Sequence, residues 1–130
     1  REKAIAKFSI EAVRNQTEST SKNNVAENEF INKVIDIIEN NYTNPQYSVE
    51  NLAFDMSMHR SQLFRKLKAV SGKSAIEMIN EIRLKHACEL LRNSSLNISE
   101  IAYETGYNDP KYFSRIFKSI YGITPSEYKN

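Results

Sequence analysis

The chain has 130 residues, enough for one ordinary domain or for two very small ones sharing a linker. Three Gly and three Pro are fewer than a many-turned all-β fold consumes, which points to helices. Lys plus Arg number 18 against 16 Asp plus Glu, a formal net charge of +2 that excludes a polycationic, histone-like protein and by itself hardly suggests nucleic acid. A single cysteine excludes a disulfide framework and a cysteine-rich zinc module. Apolar runs reach only two or three residues, so no membrane span is expected, and Arg1-Glu2-Lys3-Ala4 lacks the apolar core of a signal peptide. A reduced, cytoplasmic setting is expected, and the first residue, not being Met, suggests a piece of a longer protein.

Residues 1–28 read as a linker or the tail of a preceding domain. Ala4, Ile5, Phe8, Ile10 and Val13 are irregularly spaced, and Gln16 to Asn24 holds no apolar residue whose burial could offset its ordering entropy. From Glu29 the pattern turns helical: Phe30, Ile31, Val34, Ile35 and Ile38 recur at three and four residues, to about Asn41. Asn44-Pro45 breaks it. Ser48 caps a short helix with Val49, Leu52, Ala53 and Met56 inward. A second helix, about Arg60 to Ser71, buries Leu63, Leu67 and Val70, and Gly72 ends it as a left-handed cap. Ser74-Ala75-Ile76-Glu77 is a capping box for a long helix to about Arg92, with Met78, Ile79, Ile82, Leu84, Ala87, Leu90 and Leu91 inward. Asn97, with Glu100 three residues on, caps another short helix. Asp109 caps the next, and Pro110 takes the first position, where no amide is needed. Phe113, Phe117 and Ile120 form its stripe, Gly122 ends it, and Thr124-Pro125-Ser126-Glu127 opens a last turn or helix.

These elements repeat. Ser48-Val49-Glu50-Asn51-Leu52-Ala53 matches Asn97-Ile98-Ser99-Glu100-Ile101-Ala102. One extra residue in the second turn then shifts the register, so that Leu63 matches Phe113, Arg65 matches Arg115, Leu67 matches Phe117, Lys68 matches Lys118 and Gly72 matches Gly122. A duplicated helical hairpin is a sharper signal than either copy alone. The expected fold is all-α, with two helix-turn-helix subdomains (48–72 and 97–122) joined by a linker helix (74–92), the whole domain running from 29 to 130.

Placed along this repeat, the charge separates. Met56 to Ile76 holds no acid but carries Arg60, Arg65, Lys66, Lys68 and Lys73; Pro110 to Ser126 holds no acid but carries Lys111, Arg115 and Lys118. Ser61, Arg65 and Lys68 are spaced four and three apart, and so are Lys111, Arg115 and Lys118, which puts each set on one helix face away from the apolar stripe. A helix-turn-helix lays its second helix in the DNA major groove with its N-terminal residues at base edges. Long donors are needed there, because Arg can bond guanine O6 and N7 together and Gln can bond adenine N6 and N7. Gln62, Arg65, Lys111 and Arg115 fit that task. Arg60, Lys66, Lys68 and Lys118 fit phosphate contacts, which set register rather than sequence. One basic helix alone reads best as a solvated face; two equivalent ones in a repeat favour DNA.

From about Phe30 to Tyr128 the chain resembles the DNA-binding domain of AraC-family transcription regulators. The matching stretches are SVENLAFDMSMHRSQLFRKLKAVSGKS, INEIRLKHACELL and ISEIAYETGYNDPKYFSRIFKSIYGITPSEY. The resemblance implies seven helices and monomeric binding of the two subdomains to successive major-groove faces, about 34 Å apart. It also implies base contacts from Ser61, Gln62 and Arg65 on the first reading helix, with Phe64 at another outward position, and from Pro110, Lys111, Tyr112 and Arg115 on the second. His59 stands where the family usually has a Ser cap, and Phe64 and Pro110 stand where polar contacts are common. The spacer and EFINKVIDIIENN resemble the segment following a receiver domain in response regulators and hybrid two-component sensors. This implies an upstream phosphorelay and, in a hybrid sensor, a membrane anchor elsewhere in the full protein. Double-stranded DNA and RNA polymerase are the expected partners, with the fragment monomeric and the full protein able to dimerise.

The residues point to no enzyme, cofactor or metal site: there is no paired-carboxylate site, glycine-rich phosphate loop or metal-ligand spacing. Cys88, among Ala87, Leu90 and Leu91, reads as core, which disfavours a DNA-repair role needing an exposed nucleophilic thiol. Of Tyr103, Tyr107, Tyr112, Tyr121 and Tyr128, most are expected in packing, with Tyr112 the exception. The remaining alternative is a helical protein-interaction module that presents its basic faces to an acidic partner.

Overall fold

The computed structural model describes residues 25–129. The tail and spacer read in residues 1–24 lie outside them. Seven helices follow one another among the described residues: α1 (Val25–Asn41), α2 (Val49–Asp55), α3 (Arg60–Ser71), α4 (Ala75–Asn93), α5 (Ile98–Glu104), α6 (Pro110–Tyr121) and α7 (Pro125–Lys129). Helix α1 begins four residues before Glu29. Val25 and Ala26 are exposed, so the first turn lacks the apolar periodicity that marks the rest of the helix.

The ends are set by local chemistry. Ser48, Ser74 and Asn97 each accept a hydrogen bond from the amide three residues on, and the side-chain oxygens of Asn51, Glu77 and Glu100 in turn accept one from the cap amide at 2.8–2.9 Å. Asp109 Oδ1 accepts from the Lys111 amide at 3.0 Å, with Pro110 at the first helical position. Gly72 and Gly122 close α3 and α6 at φ 75° and 82°. The repeat is regular: α2 and α5 have 7 residues each and α3 and α6 have 12. The extra residue of the second copy lies in the turn, which spans 105–109 against 56–59 in the first.

The apolar residues divide into two cores. The first joins α1, α2 and α3 to Ala75, Met78, Ile79 and Ile82 of α4. The second joins Leu84, Ala87, Cys88 and Leu91 of α4 to α5, α6 and α7. Helix α4 thus serves one core with its first half and the other with its second. Ile82 and Leu84 lie two residues apart, about 200° around the helix, and so face opposite cores.

Four residues expected inward, Val49, Val70, Leu90 and Ile120, are only half-buried, while Tyr121 is buried in the second core. Each of the four packs at the margin of a core, where the stripe meets solvent. Tyr103 is 56% exposed: α5 is short and buries Ile101 and Ala102, which turns the next side chain outward. The periodicity did not reveal the buried polar residues Asn80, Glu81 and Arg83 of α4.

Candidate nucleic-acid interface

Helix α3 is held by Leu63 and Leu67, both fully buried, and α6 by Phe113 and Phe117, likewise fully buried. The opposite faces are therefore turned to solvent by the same 3.6-residue period. On α3 the exposed residues include Arg60, Ser61, Gln62, Phe64, Arg65, Lys66 and Lys68; on α6 they include Lys111, Tyr112, Arg115 and Lys118. Pro110 is half-buried at the start of α6. Apart from Pro110, every residue singled out for base or phosphate contact thus lies on an exposed position of these two helices.

Their partners differ. Gln62 Oε1 accepts a hydrogen bond from the His59 amide at 3.0 Å, so one end of the Gln62 side chain closes the N-terminus of α3. His59 itself makes no side-chain cap bond. The Gln62 side chain thus satisfies the cap residue's own amide, as Asn51, Glu77 and Glu100 do at the other helix starts. Arg60 pairs with Glu50 of α2 at 3.2 Å, both side chains well exposed, a pair that salt weakens readily. The Lys66 ammonium lies 4.6 Å from the Phe30 ring centroid, which draws it toward α1. Lys68 and Lys73 lie near Glu77, whose carboxyl is held below the ordinary range chiefly by the Ser74 amide. On α6 the Arg115 guanidinium lies 5.9 Å from the Tyr112 ring, and Tyr112 leans on the buried Tyr107, ring centroids 6.0 Å apart. Arg115 is thus braced along an aromatic edge.

Among the described residues no cluster of His, Cys, Asp or Glu could hold a metal ion, and no helix is long and apolar enough to cross a membrane. Cys88 is buried in the second core. His86 stacks on Tyr42, ring centroids 4.0 Å apart, and contacts Glu39.

Two equivalent helix-turn-helix units, each with an acid-free basic second helix turned to solvent, have the architecture of a DNA-binding domain of transcription regulators. Residues 52–130 match the family model described as a helix-turn-helix domain. An HTH-type transcriptional regulator in the cgkA 5′ region of Pseudoalteromonas carrageenovora is 33% identical over 122 residues, covering 90% of this chain and 72% of that protein. The C-terminal domain of AraT, a response regulator from Geobacillus stearothermophilus, superposes with a TM-score of 0.71 at 31% identity, covering 75% of this chain and 81% of that one. The chain belongs to the AraC-type helix-turn-helix family of DNA-binding transcription regulators. Histidine kinase P4 of Formosa agariphila is 39% identical over 102 residues, 78% of this chain but only 7% of that protein. The kinase in its name therefore describes a far longer molecule, and the matched region is the helix-turn-helix part.

Proposed function

We propose that the chain is the sequence-reading output domain of a promoter-binding regulator, inserting α3 and α6 into successive major-groove faces of one DNA duplex. Ser61, Gln62 and Arg65 on α3, and Lys111, Tyr112 and Arg115 on α6, take the base edges; Arg60, Lys66, Lys68 and Lys118 take phosphates. The observation carrying this reading is the pairing of two 12-residue helices, equivalent in the repeat, whose solvent faces hold Arg and Lys and no acid. Arg65 and Arg115 occupy matching positions, and each can present a fork to guanine. The resemblance to a response-regulator domain supports control by phosphotransfer to a receiver elsewhere in the full protein. RNA polymerase is the protein partner proposed for surfaces off the DNA. The fragment acts as a monomer, in the cytoplasm.

Selection of bound duplexes from a random pool tests the reading. Two sequence blocks about ten base pairs apart are expected; a single block would mean that only one helix reads. A salt titration on selected against random duplex separates the alternative. Equal, weak binding to both would favour a protein-interaction module with basic faces.

A further inference from the structure

The seam between the two subdomains contains a buried charge. Arg83 lies on α4 between Ile82, which enters the first core, and Leu84, which enters the second. It is 6% exposed. Its Nε donates to the Tyr42 carbonyl and its Nη2 to the Asn44 carbonyl, both at 3.0 Å, so the guanidinium clamps the loop that joins α1 to α2. Its other contact is with the second subdomain: the guanidinium carbon lies 5.6 Å from the Tyr107 ring centroid. Tyr107 is tied back to α4 by its hydroxyl, which donates to Asn80 Oδ1 at 2.7 Å.

The backbone of the second turn closes on the same point. At Gly106, with φ 92°, a Cβ would stand 2.0 Å from the Tyr42 carbonyl oxygen and 2.8 Å from Arg83 Nε. The matching residue of the first copy, Ser57, has a similar φ of 58° but keeps a side chain on an exposed turn. Glycine in the second copy is therefore needed for the close approach of the two subdomains as well as for the turn. The turn leads directly into α6, and Tyr107 supports both Tyr112 and Phe113, at ring-centroid distances of 6.0 and 5.4 Å.

We propose that Arg83 is the positioning residue of the two-helix reader: by bonding two carbonyls of the first subdomain while packing on Tyr107 of the second, it sets the distance and phase between α3 and α6. This rests on the proposal that both helices read one duplex. Main-chain carbonyls are rigidly placed acceptors, and a planar guanidinium bonds two of them in a single orientation. Losing it takes a donor from each carbonyl, although the Asn44 oxygen keeps the Tyr47 amide, and uncovers the Tyr107 face, so the subdomains are free to pivot on α4. A fixed junction matters to affinity because the second helix binds as a tethered partner only when its spacing matches the DNA.

The test uses the 130-residue chain and duplexes carrying the two blocks it selects, with the spacer at its selected length or lengthened by two base pairs, a shift of about 70° and about 7 Å. Single-block duplexes serve as controls. The parent is expected to lose on the order of a hundredfold in affinity on the lengthened spacer. Arg83→Gln should bind each single block as the parent does, bind the selected spacer more weakly, and lose less than about tenfold on lengthening. A merely stabilising role would scale binding to all duplexes alike, so a spacer profile equal to the parent's overturns the proposal. Tyr107→Phe, which removes one hydroxyl and its bond to Asn80, should flatten the profile in the same direction. If Arg83→Gln does not fold, a Tyr107→Phe profile identical to the parent's overturns it instead. A parent that selects one block overturns the two-helix reading and the positioning role with it; a parent that selects two, with unchanged profiles in the variants, overturns the positioning role alone.

Discussion

Phe117→Ala is the sharpest probe of the two-core architecture. Phe117 is fully buried, and its ring lies 5.9 Å from Phe113, 4.7 Å from Tyr121 and 5.9 Å from Tyr128. A Phe side chain buries about 150–250 Å², which at about 25 cal/mol per Å² corresponds to about 4–6 kcal/mol. The ring edges lost to three neighbours add to this, partial collapse of the cavity subtracts, and Phe→Ala in a core costs about 3–5 kcal/mol. Taking about 4 kcal/mol, the melting temperature should fall by roughly 15–30 °C for a domain of this size. Because α4 is the one described helix that contributes buried side chains to both cores, the loss should be uneven. Amide protection should fall most in α5, α6 and α7, while α1, α2 and α3 keep theirs. Hydrogen exchange read by mass spectrometry resolves the two halves. Leu67→Ala, also fully buried but in the first core, should cost about 2–5 kcal/mol and reverse the pattern. A Phe117→Ala protein that melts like the parent, or that loses protection equally in both halves, would refute this reasoning.

Three further outcomes are expected. Arg65→Ala and Arg115→Ala should each cost about 1–3 kcal/mol of specific binding and relax preference at one base position, measured by titration against a panel of singly substituted duplexes; unchanged base preference in both would remove the assignment of the reading faces. Lys68→Ala should weaken binding to all duplexes alike and reduce the slope of log K against log salt by about one unit; a slope equal to the parent's would show that Lys68 touches no phosphate. Glu77 is held below its ordinary range, first by the Ser74 amide, with Lys68 and Lys73 adding and burial opposing. Its folded-state pKa is depressed, so its contribution is complete above about pH 4.3 and is lost as pH falls through the lower folded-state value. Urea midpoints between neutral pH and pH 3 should therefore fall less steeply with acid in Glu77→Gln than in the parent, and equal steepness would contradict the assigned role of that carboxylate.

The candidate site was legible because both signals it needs are local. Leu63 and Leu67, or Phe113 and Phe117, identify the buried stripe, and the 3.6-residue period then turns Arg65 and Arg115 outward without any knowledge of the fold. The caps were equally legible, since Ser48, Ser74, Asn97 and Asp109 bond to amides two or three residues away. The state of individual side chains was not. Gln62 fits a base contact by type and position, yet its Oε1 accepts the His59 amide and so closes the start of α3. Arg60 and Lys66 suit phosphate contacts by type and position, but their neighbours in the fold, Glu50 beside the first and Phe30 beside the second, are ones that only folding brings close.

The sequence by itself determined the helices, their order, the duplication and the basic faces, because capping, periodicity and charge act over a few residues. Tertiary structure alone decided that α4 divides its apolar residues between two cores. It alone decided why Arg83 is buried and why residue 106 is glycine. Arg83 reaches Tyr42 and Asn44 across 41 and 39 residues of sequence, and Gly106 is constrained by a carbonyl from another subdomain. No window of neighbouring residues carries that information, because the partner that makes each choice necessary arrives only when the two halves pack.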